Sequence, residues 1–335
     1  GFEYQIRRKD GKLIWVSENA RLVRNTDGSV SYYEGFLEDI SARKQNEQRI
    51  DNQLKQLNAL HAIDNAINSN FDLRTTLDVV LREVIAQLRA DATSVLLFNK
   101  VTHTLDYTAG RGFISKATQH TKLSIGEGYA GRVILDRKMV HIPDLTNTEN
   151  NRLTNALNTA GENFVAYVGS PLVAKGQVVG VLEIFQRAPL APNPDWFDFL
   201  TMIADQAAIA IDNAQLFENL QRSNFDLTLA YDATIEGWSR ALDLRDRETE
   251  GHTQRVTNLT VKLARQMGIP DTDILHIRRG ALLHDIGKMG IPDSILHKPD
   301  QLTPEEWEIM RQHTKYAYQM LTPIIYLKPA LDIPR

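Results

Sequence analysis

Phe217, Leu220, Asn224, Leu227, Tyr231, Thr234 and Trp238 follow one another at alternating steps of three and four. That spacing keeps one stripe of an α-helix facing a partner helix over about six turns. No strand or compact loop can use it. An Asn on such a seam fixes register and two-strandedness at some cost in stability. Ile50, Leu54, Leu57 and His61 repeat the pattern earlier in the chain. The expected layout is therefore a folded part, a helical rod and a second folded part, with the chain paired as a parallel homodimer. The plainer alternative is one long helix packed on its own domain. At 335 residues the chain exceeds one ordinary domain. The pattern divides it into 1–45, a linker helix over 46–70, a mixed unit over 71–220 and a helical unit over 221–335.

The chemistry concentrates beyond the rod. Ala281-Leu282-Leu283 runs into His284-Asp285, and Lys288 follows one helical turn later. An imidazole beside a carboxylate can hold divalent metal, the nitrogen on one ion and the oxygens across two. On a helix Lys288 shares their side, where its ammonium could meet a phosphate. A His-Asp pair alone is common and mostly structural; its company raises this one. Glu248 and His252 are four apart, on one face if that segment is helical. Thr303-Pro304-Glu305-Glu306 spells a capping box with proline at the first helical position. The helix it opens has an apolar face at Trp307, Met310, Ala317, Met320 and Leu321, and His313 lies beside that face, pointing inward. Upstream, Val256, Leu259, Leu263 and Met267 mark a helix closed by Gly268 and Pro270. Asp271 or Thr272 caps the next helix, which delivers His284 and Asp285 near its end. His276 is assigned to the surface.

Arg247-Glu248-Thr249-Glu250-Gly251-His252-Thr253-Gln254-Arg255, Leu283 to Lys288, Ile291-Pro292-Asp293, and Trp307 to His313 together are similar to the HD-GYP family, which hydrolyses the bacterial second messenger cyclic di-GMP. The resemblance implies an all-α HD-type domain whose metal ligands are Glu248, His252, His284, Asp285 and His313, with Asp285 bridging. It implies Lys288 and Arg255 on the phosphate, two or three divalent ions, and a linear dinucleotide or GMP as product. Mixed imidazole and carboxylate ligands without thiolate favour iron or manganese, with zinc possible. The Gly-Tyr-Pro segment of that family is absent, and its next ligands would fall beyond Ile333-Pro334-Arg335, so the chain is expected to be catalytically incomplete alone. Two other readings stay open. One is another HD-type nucleotide phosphohydrolase. The other is a non-enzymatic sensor dimer whose HD half is an interaction module.

The first part is mixed α and β. Over 1–40, Tyr4 and Ile6, then Leu13 to Val16, Ala20 to Val23, and Val30 to Leu37 alternate between turns at Asp10-Gly11 and Asp27-Gly28. Glu38-Asp39-Ile40-Ser41 resembles the exit of a PAS domain. Residues 71–220 resemble a GAF domain: an amphipathic helix through Leu73, Leu77, Val80, Leu81, Val84 and Leu88, strands at Thr93–Asn99 and Gln177–Phe185, and the turn Gly126-Glu127-Gly128-Tyr129-Ala130-Gly131. That turn lacks the order of a dinucleotide or P-loop site and is expected to let a helix pack on the sheet. His103, His120 and His141 lack ligand spacing and are expected at the surface or a pocket edge. The GAF ligand is unknown. The expected fold class is thus multidomain α+β: a partial PAS sheet, a GAF sensor and an HD-type helical domain, joined by coiled-coil signalling helices.

A formal net charge of −4 gives no overall basic excess, which disfavours nucleic acid as a partner. Without cysteine there is no disulfide framework and no thioether-linked chromophore. No apolar run is long enough to span a membrane, and a cytoplasmic location is expected, with an anchor upstream left open.

Overall fold

The structure is a computed structural model describing residues 1–69, 72–116, 122–145, 161–246 and 251–334. It divides into two compact units, Gly1–Glu218 and Asn219–Arg335.

The first unit opens with a three-stranded antiparallel sheet, β1 (Phe2–Arg7), β2 (Leu13–Arg24) and β3 (Val30–Asp39), in that order. The two strands expected within 13–23 are one. Its ladder to β3 runs from Val16↔Asp39 to Arg24↔Val30 and is unbroken through Ser17–Asn19. Ser41 begins α1 (Ser41–Ser69) and its Oγ accepts from the Trp15 amide at 2.9 Å, tying helix to sheet. Ala59 and Ile63 of α1 are buried, while Ile50, Leu54 and Leu57 of the expected seam are exposed.

Asp72 caps α2 (Leu73–Leu88) through the amides of Arg74 and Thr75, and Leu77, Val80, Leu81, Val84 and Leu88 are buried as the periodicity requires. The sheet beneath has six strands, β4 (Ala92–Asn99), β5 (Thr104–Arg111), β6 (Lys122–Ser124), β7 (Val140–Ile142), β8 (Ala166–Ala174) and β9 (Gln177–Gln186), ordered β6-β5-β4-β9-β8-β7. One apolar cluster joins it to α2 and to Phe199, Leu200, Ile203, Ala207 and Ile211 of the long helix α4 (Pro194–Asp246). A second cluster joins it to α3 (Gly128–Asp136). The glycine-rich turn does what packing asks. A Cβ on Gly131 would stand 2.8 Å from both the Gly126 nitrogen and the Ser124 carbonyl oxygen, so only glycine lets α3 close on the turn. His103 is exposed, His141 is half-buried against Phe197, and His120 lies outside the described residues.

A carboxyl sits inside this unit. Glu183 of β9 is 4% exposed; its oxygens accept from Ser94 Oγ at 2.8 Å and Tyr167 Oη at 3.1 Å. Burial outweighs those two bonds and pushes the carboxyl up to about 7.

The second unit is helical: the last part of α4, then α5 (His252–Gln266), α6 (Asp271–Leu282), a 3₁₀ turn (Ile286–Gly290), α7 (Asp293–Leu296), α8 (Pro304–Arg311), α9 (His313–Leu321) and a 3₁₀ turn (Ile325–Ala330). Ile235, Leu282, Leu283, Ile286, Ala317, Leu321 and Leu327 form its core. Gly268, at φ +76°, ends α5; its amide bonds Arg265 O at 3.0 Å, and the Ile269 amide bonds Ala264 O at 3.1 Å.

Three expectations need correction here, at the cap of α6, the helix through His313 and His276. The cap of α6 is Pro270, whose extended backbone lets the helix start at once and leaves Asp271 in the first turn. The helix marked by Val256, Leu259 and Leu263 is present as α5, which packs its small face, Thr253, Thr257 and Ala264, inward and leaves Leu259, Leu263 and Met267 exposed. The helix expected through His313 is two, since Gln312 bonds back to Ile309 at 3.0 Å and tightens the turn. His276 is half-buried, with Nδ1 shielded from water and lacking a hydrogen bond. No described helix is long and apolar enough to cross a membrane.

Candidate metal centre

Residue 282 ends α6, so His284 and Asp285 stand in a turn rather than within the expected helix. The Ile286 amide bonds Leu283 O at 3.0 Å and the Lys288 amide bonds Asp285 O at 2.8 Å, winding the next residues as 3₁₀. In that winding, side chains three apart eclipse. Lys288 Nζ accordingly lies 2.8 Å from Asp285 Oδ2.

The reason for the tight turn is Gly287. A Cβ there would fall 1.7 Å from His313 O and 2.6 Å from the Ala317 nitrogen. The backbone of α9 therefore rests on the bare α-carbon of Gly287, which brings His313 to the His-Asp turn.

His284 Nδ1 is 2.8 Å from Ala281 O, and its Nε2 is 3.1 Å from Asp285 Oδ2. His313 repeats the arrangement, with Nδ1 2.7 Å from Met310 O and Nε2 3.7 Å from Asp285 Oδ1. A carbonyl oxygen only accepts, so each Nδ1 carries hydrogen and Nε2 is the atom turned to the carboxylate: protonated it donates to Asp285, and deprotonated it presents the lone pair a metal ion takes. A divalent ion could take the place of the protons between these nitrogens and the carboxylate. Imidazoles pinned through Nδ1 to a carbonyl are how metal-ligating histidines are oriented. The hydrogen bond with Asp285 raises the His284 imidazole above its ordinary value. Burial alone would raise Asp285, but hydrogen bonds from His284 and Lys288 hold its carboxyl well below the usual range. Burial would lower Lys288, and its bonds to Asp246 and Asp285 raise it instead.

His252 is the first residue of α5, its ring centre 6.5 Å from that of His284. Arg255 is exposed one turn later, with its guanidinium over Gly251. Glu248 lies outside the described residues. The fold thus brings His252, His284, Asp285, Lys288 and His313 together. Among the described residues no three His, Asp or Glu side chains stand ready to hold a metal ion. The carboxylate at the centre is engaged by Lys288. The donor chemistry nevertheless fits a divalent ion: two free-facing Nε2 atoms, one anionic carboxylate and a third imidazole alongside.

Two residues of this neighbourhood escaped the sequence reading. Asp246 Oδ2 is 2.5 Å from Lys288 Nζ, and Arg245 donates to Met289 O at 2.6 Å, Ile291 O at 3.0 Å and Asp293 Oδ1 at 3.0 Å. The available signal was an acid in the last turn of a helix, where the macrodipole disfavours it unless something else holds it.

Residues 249–333 match the HD domain family, 72–211 the GAF domain family and 1–37 the PAS fold. The chain is thus similar in turn to part of a PAS fold, to a GAF domain and to an HD domain. Curated relatives match a quarter to a third of the chain. A "Cyclic di-GMP phosphodiesterase" of Thermotoga maritima is 48% identical over 25% of this chain and 24% of its own length. A "3'3'-cGAMP-specific phosphodiesterase 3" of Vibrio cholerae is 38% identical over 33% of this chain and 25% of its own. The "Cyclic di-GMP phosphodiesterase response regulator RpfG" of Xanthomonas campestris is 35% identical over 27% and 24%. The matched region spans about a quarter of the length of each relative.

Proposed function

We propose that the HD domain is the metal-binding part of a phosphodiesterase that opens a 3′–5′ bond of cyclic di-GMP under control of the GAF domain. The observation that carries this reading is the pair of Nδ1-pinned imidazoles, His284 and His313, aimed at the one carboxylate of Asp285. Glu248, His252, His284, Asp285 and His313 would hold the ions. Divalent ions there supply Lewis-acid neutralisation of the phosphodiester and a hydroxide nucleophile at neutral pH. The nitrogen and oxygen ligands favour iron or manganese. Lys288 is the residue poised for a phosphate oxygen: its ammonium is half-buried beside the ligands, and Asp246 keeps it there. Arg255, at the rim, is the second cation for the phosphates.

Two copies of the chain would pair along the seam of α4. Leu220 and Leu227 are 59% and 52% exposed, an apolar stripe that a second helix would cover. The name of the Vibrio cholerae relative supports a second substrate reading, 3′3′-cGAMP.

Full-length protein loaded with Mn²⁺ or Fe²⁺ should hydrolyse cyclic di-GMP to the linear dinucleotide or GMP, and His313→Ala should lose at least about 100-fold in rate. Faster turnover of 3′3′-cGAMP in the same assay would reassign the substrate. Unaltered metal binding by His313→Ala would remove the site.

A further inference from the structure

Asp232, Ile235, Ser239, Leu242 and Asp246 also lie at steps of three and four on α4, and Ile235, Ser239 and Leu242 are buried. This stripe is distinct from the exposed seam. It is charged at both ends, and each end grips one side of the His-Asp turn. Asp246 holds Lys288 after the turn. Asp232 holds Arg279 before it.

Of the two cations held, Arg279 is the more deeply buried. Arg279 is 2% exposed. Its Nε lies 2.8 Å and its Nη2 3.4 Å from the two carboxylate oxygens of Asp232, and Nη2 also donates to Tyr326 Oη. The guanidinium stands 4.4 Å from the centre of the Tyr326 ring, which stacks on Tyr231 of α4 at 4.3 Å. Separating the pair would leave a buried cation without its anion, so α6 follows Asp232. The helix cannot slip under it either, because a Cβ on the next residue, Gly280, would stand 2.6 Å from Ala330 O. The turn hangs directly from this point. Arg279 O accepts the Leu283 amide at 3.2 Å, and Ala281 O fixes His284 Nδ1 at 2.8 Å.

We propose that Asp232 and Arg279 are a positioning pair for the metal-ligating turn. With Asp246 and Lys288 they fasten the turn to α4 from both sides, across fourteen residues or about 21 Å of helix. A rotation or slide of α4 then moves His284 and Asp285 through these side chains and not only through the chain connection into α5. The role as metal-ligating turn rests on the function proposed above; the fastening does not.

The test uses the full-length protein with Asp232→Asn, Asp232→Ala, Arg279→Lys and, as control, exposed Arg240→Ala. Hydrogen exchange of the amides of 283–288 is read without metal, Mn²⁺ affinity by titration, and kcat and KM on cyclic di-GMP. Asp232→Ala and Arg279→Lys should lose protection about tenfold at 283–288 while α5 stays protected, and should bind Mn²⁺ about 10–100-fold more weakly, with kcat falling more than KM rises. Asp232→Asn, which keeps the shape and one acceptor, should recover part of each loss. Protection lost evenly across the unit, or Mn²⁺ affinity within twofold of the parent in variants that remain folded, overturns the proposal. Selective loss of protection in a protein whose parent binds no Mn²⁺ retires the metal reading and leaves the fastening standing.

Discussion

Glu183 in the GAF core accepts from two hydroxyls, whereas Asp285 in the HD unit faces an ammonium and two imidazoles. Both carboxyls are drawn out of water, and burial pushes both upward. The outcomes are opposite because the donors differ in charge. Neutral hydroxyls cannot offset the lost hydration of an anion, so Glu183 reaches about 7. Cationic partners more than offset it at Asp285, which stays an anion. The lesson is that depth alone does not fix the charge of a buried acid. Glu183 holds its proton up to about pH 7, whereas Asp285 keeps its negative charge among cations.

The same chemical change, carboxylate to amide, should therefore act in opposite directions at the two sites. Asp285→Asn removes the anion that Lys288 and both Nε2 atoms face. In the full-length protein, on the function proposed above, it is expected to abolish Mn²⁺ binding at micromolar metal and to cost at least about 10³-fold in hydrolysis, about 4 kcal/mol in the barrier. Calorimetric titration and a turnover assay read the two losses. Activity of the Asp285→Asn variant within tenfold of the parent would show that the anion is incidental and break the contrast.

Gly287→Ala sharpens it from the structural side. No flexible side chain can yield here, since the added Cβ meets backbone at 1.7 Å and 2.6 Å. Either α9 retreats, taking His313 from Asp285, or the turn unwinds. The second unit should lose about 4 kcal/mol, read as a lower urea midpoint for that unit with the GAF unit unchanged.

Local signals were legible in the sequence and long-range ones were not. The apolar positions of α2, the capping box of Thr303 with Glu306, and the glycine stop at Gly268 are each written within one or two turns, and the structure has all three. The end of α6 at Leu282 is different in kind. It depends on α9 lying against Gly287, which no window around Leu282 contains. The stripe of Leu259 and Leu263 marked α5 but not its inner face, because close helix packing through Thr253, Thr257 and Ala264 prefers small residues over the most apolar ones. His252, His284, Asp285 and His313 were readable as a set by resemblance, but the meeting of Asp232 with Arg279 was not, because the partners are 47 residues apart. Glu183 was invisible likewise. A lone acid in an apolar strand ordinarily faces water, and its donors Ser94 and Tyr167 lie 89 and 16 residues away.

Glu183→Gln gives the smallest effect and the cleanest sign. The folded carboxyl sits at about 7 against an ordinary 4.5, so between those values the folded GAF unit holds more protons than the unfolded chain. Stability must then fall as pH rises through that window and level off above it, by about 3 kcal/mol in all. Below pH 4.5 this contribution is fully present. Glutamine imitates the protonated acid: its oxygen accepts from one hydroxyl, and the other hydroxyl can rotate to accept from its amide. Parent and variant should therefore match near pH 4.5, and the variant should gain steadily to about 3 kcal/mol at about pH 8, the reverse of the loss expected at Asp285. Urea midpoints of the GAF unit at half-unit steps across that range decide it. Parallel curves for the two proteins would mean that Glu183 is ionised in its core after all, and that two hydroxyls can do there what the cations do for Asp285.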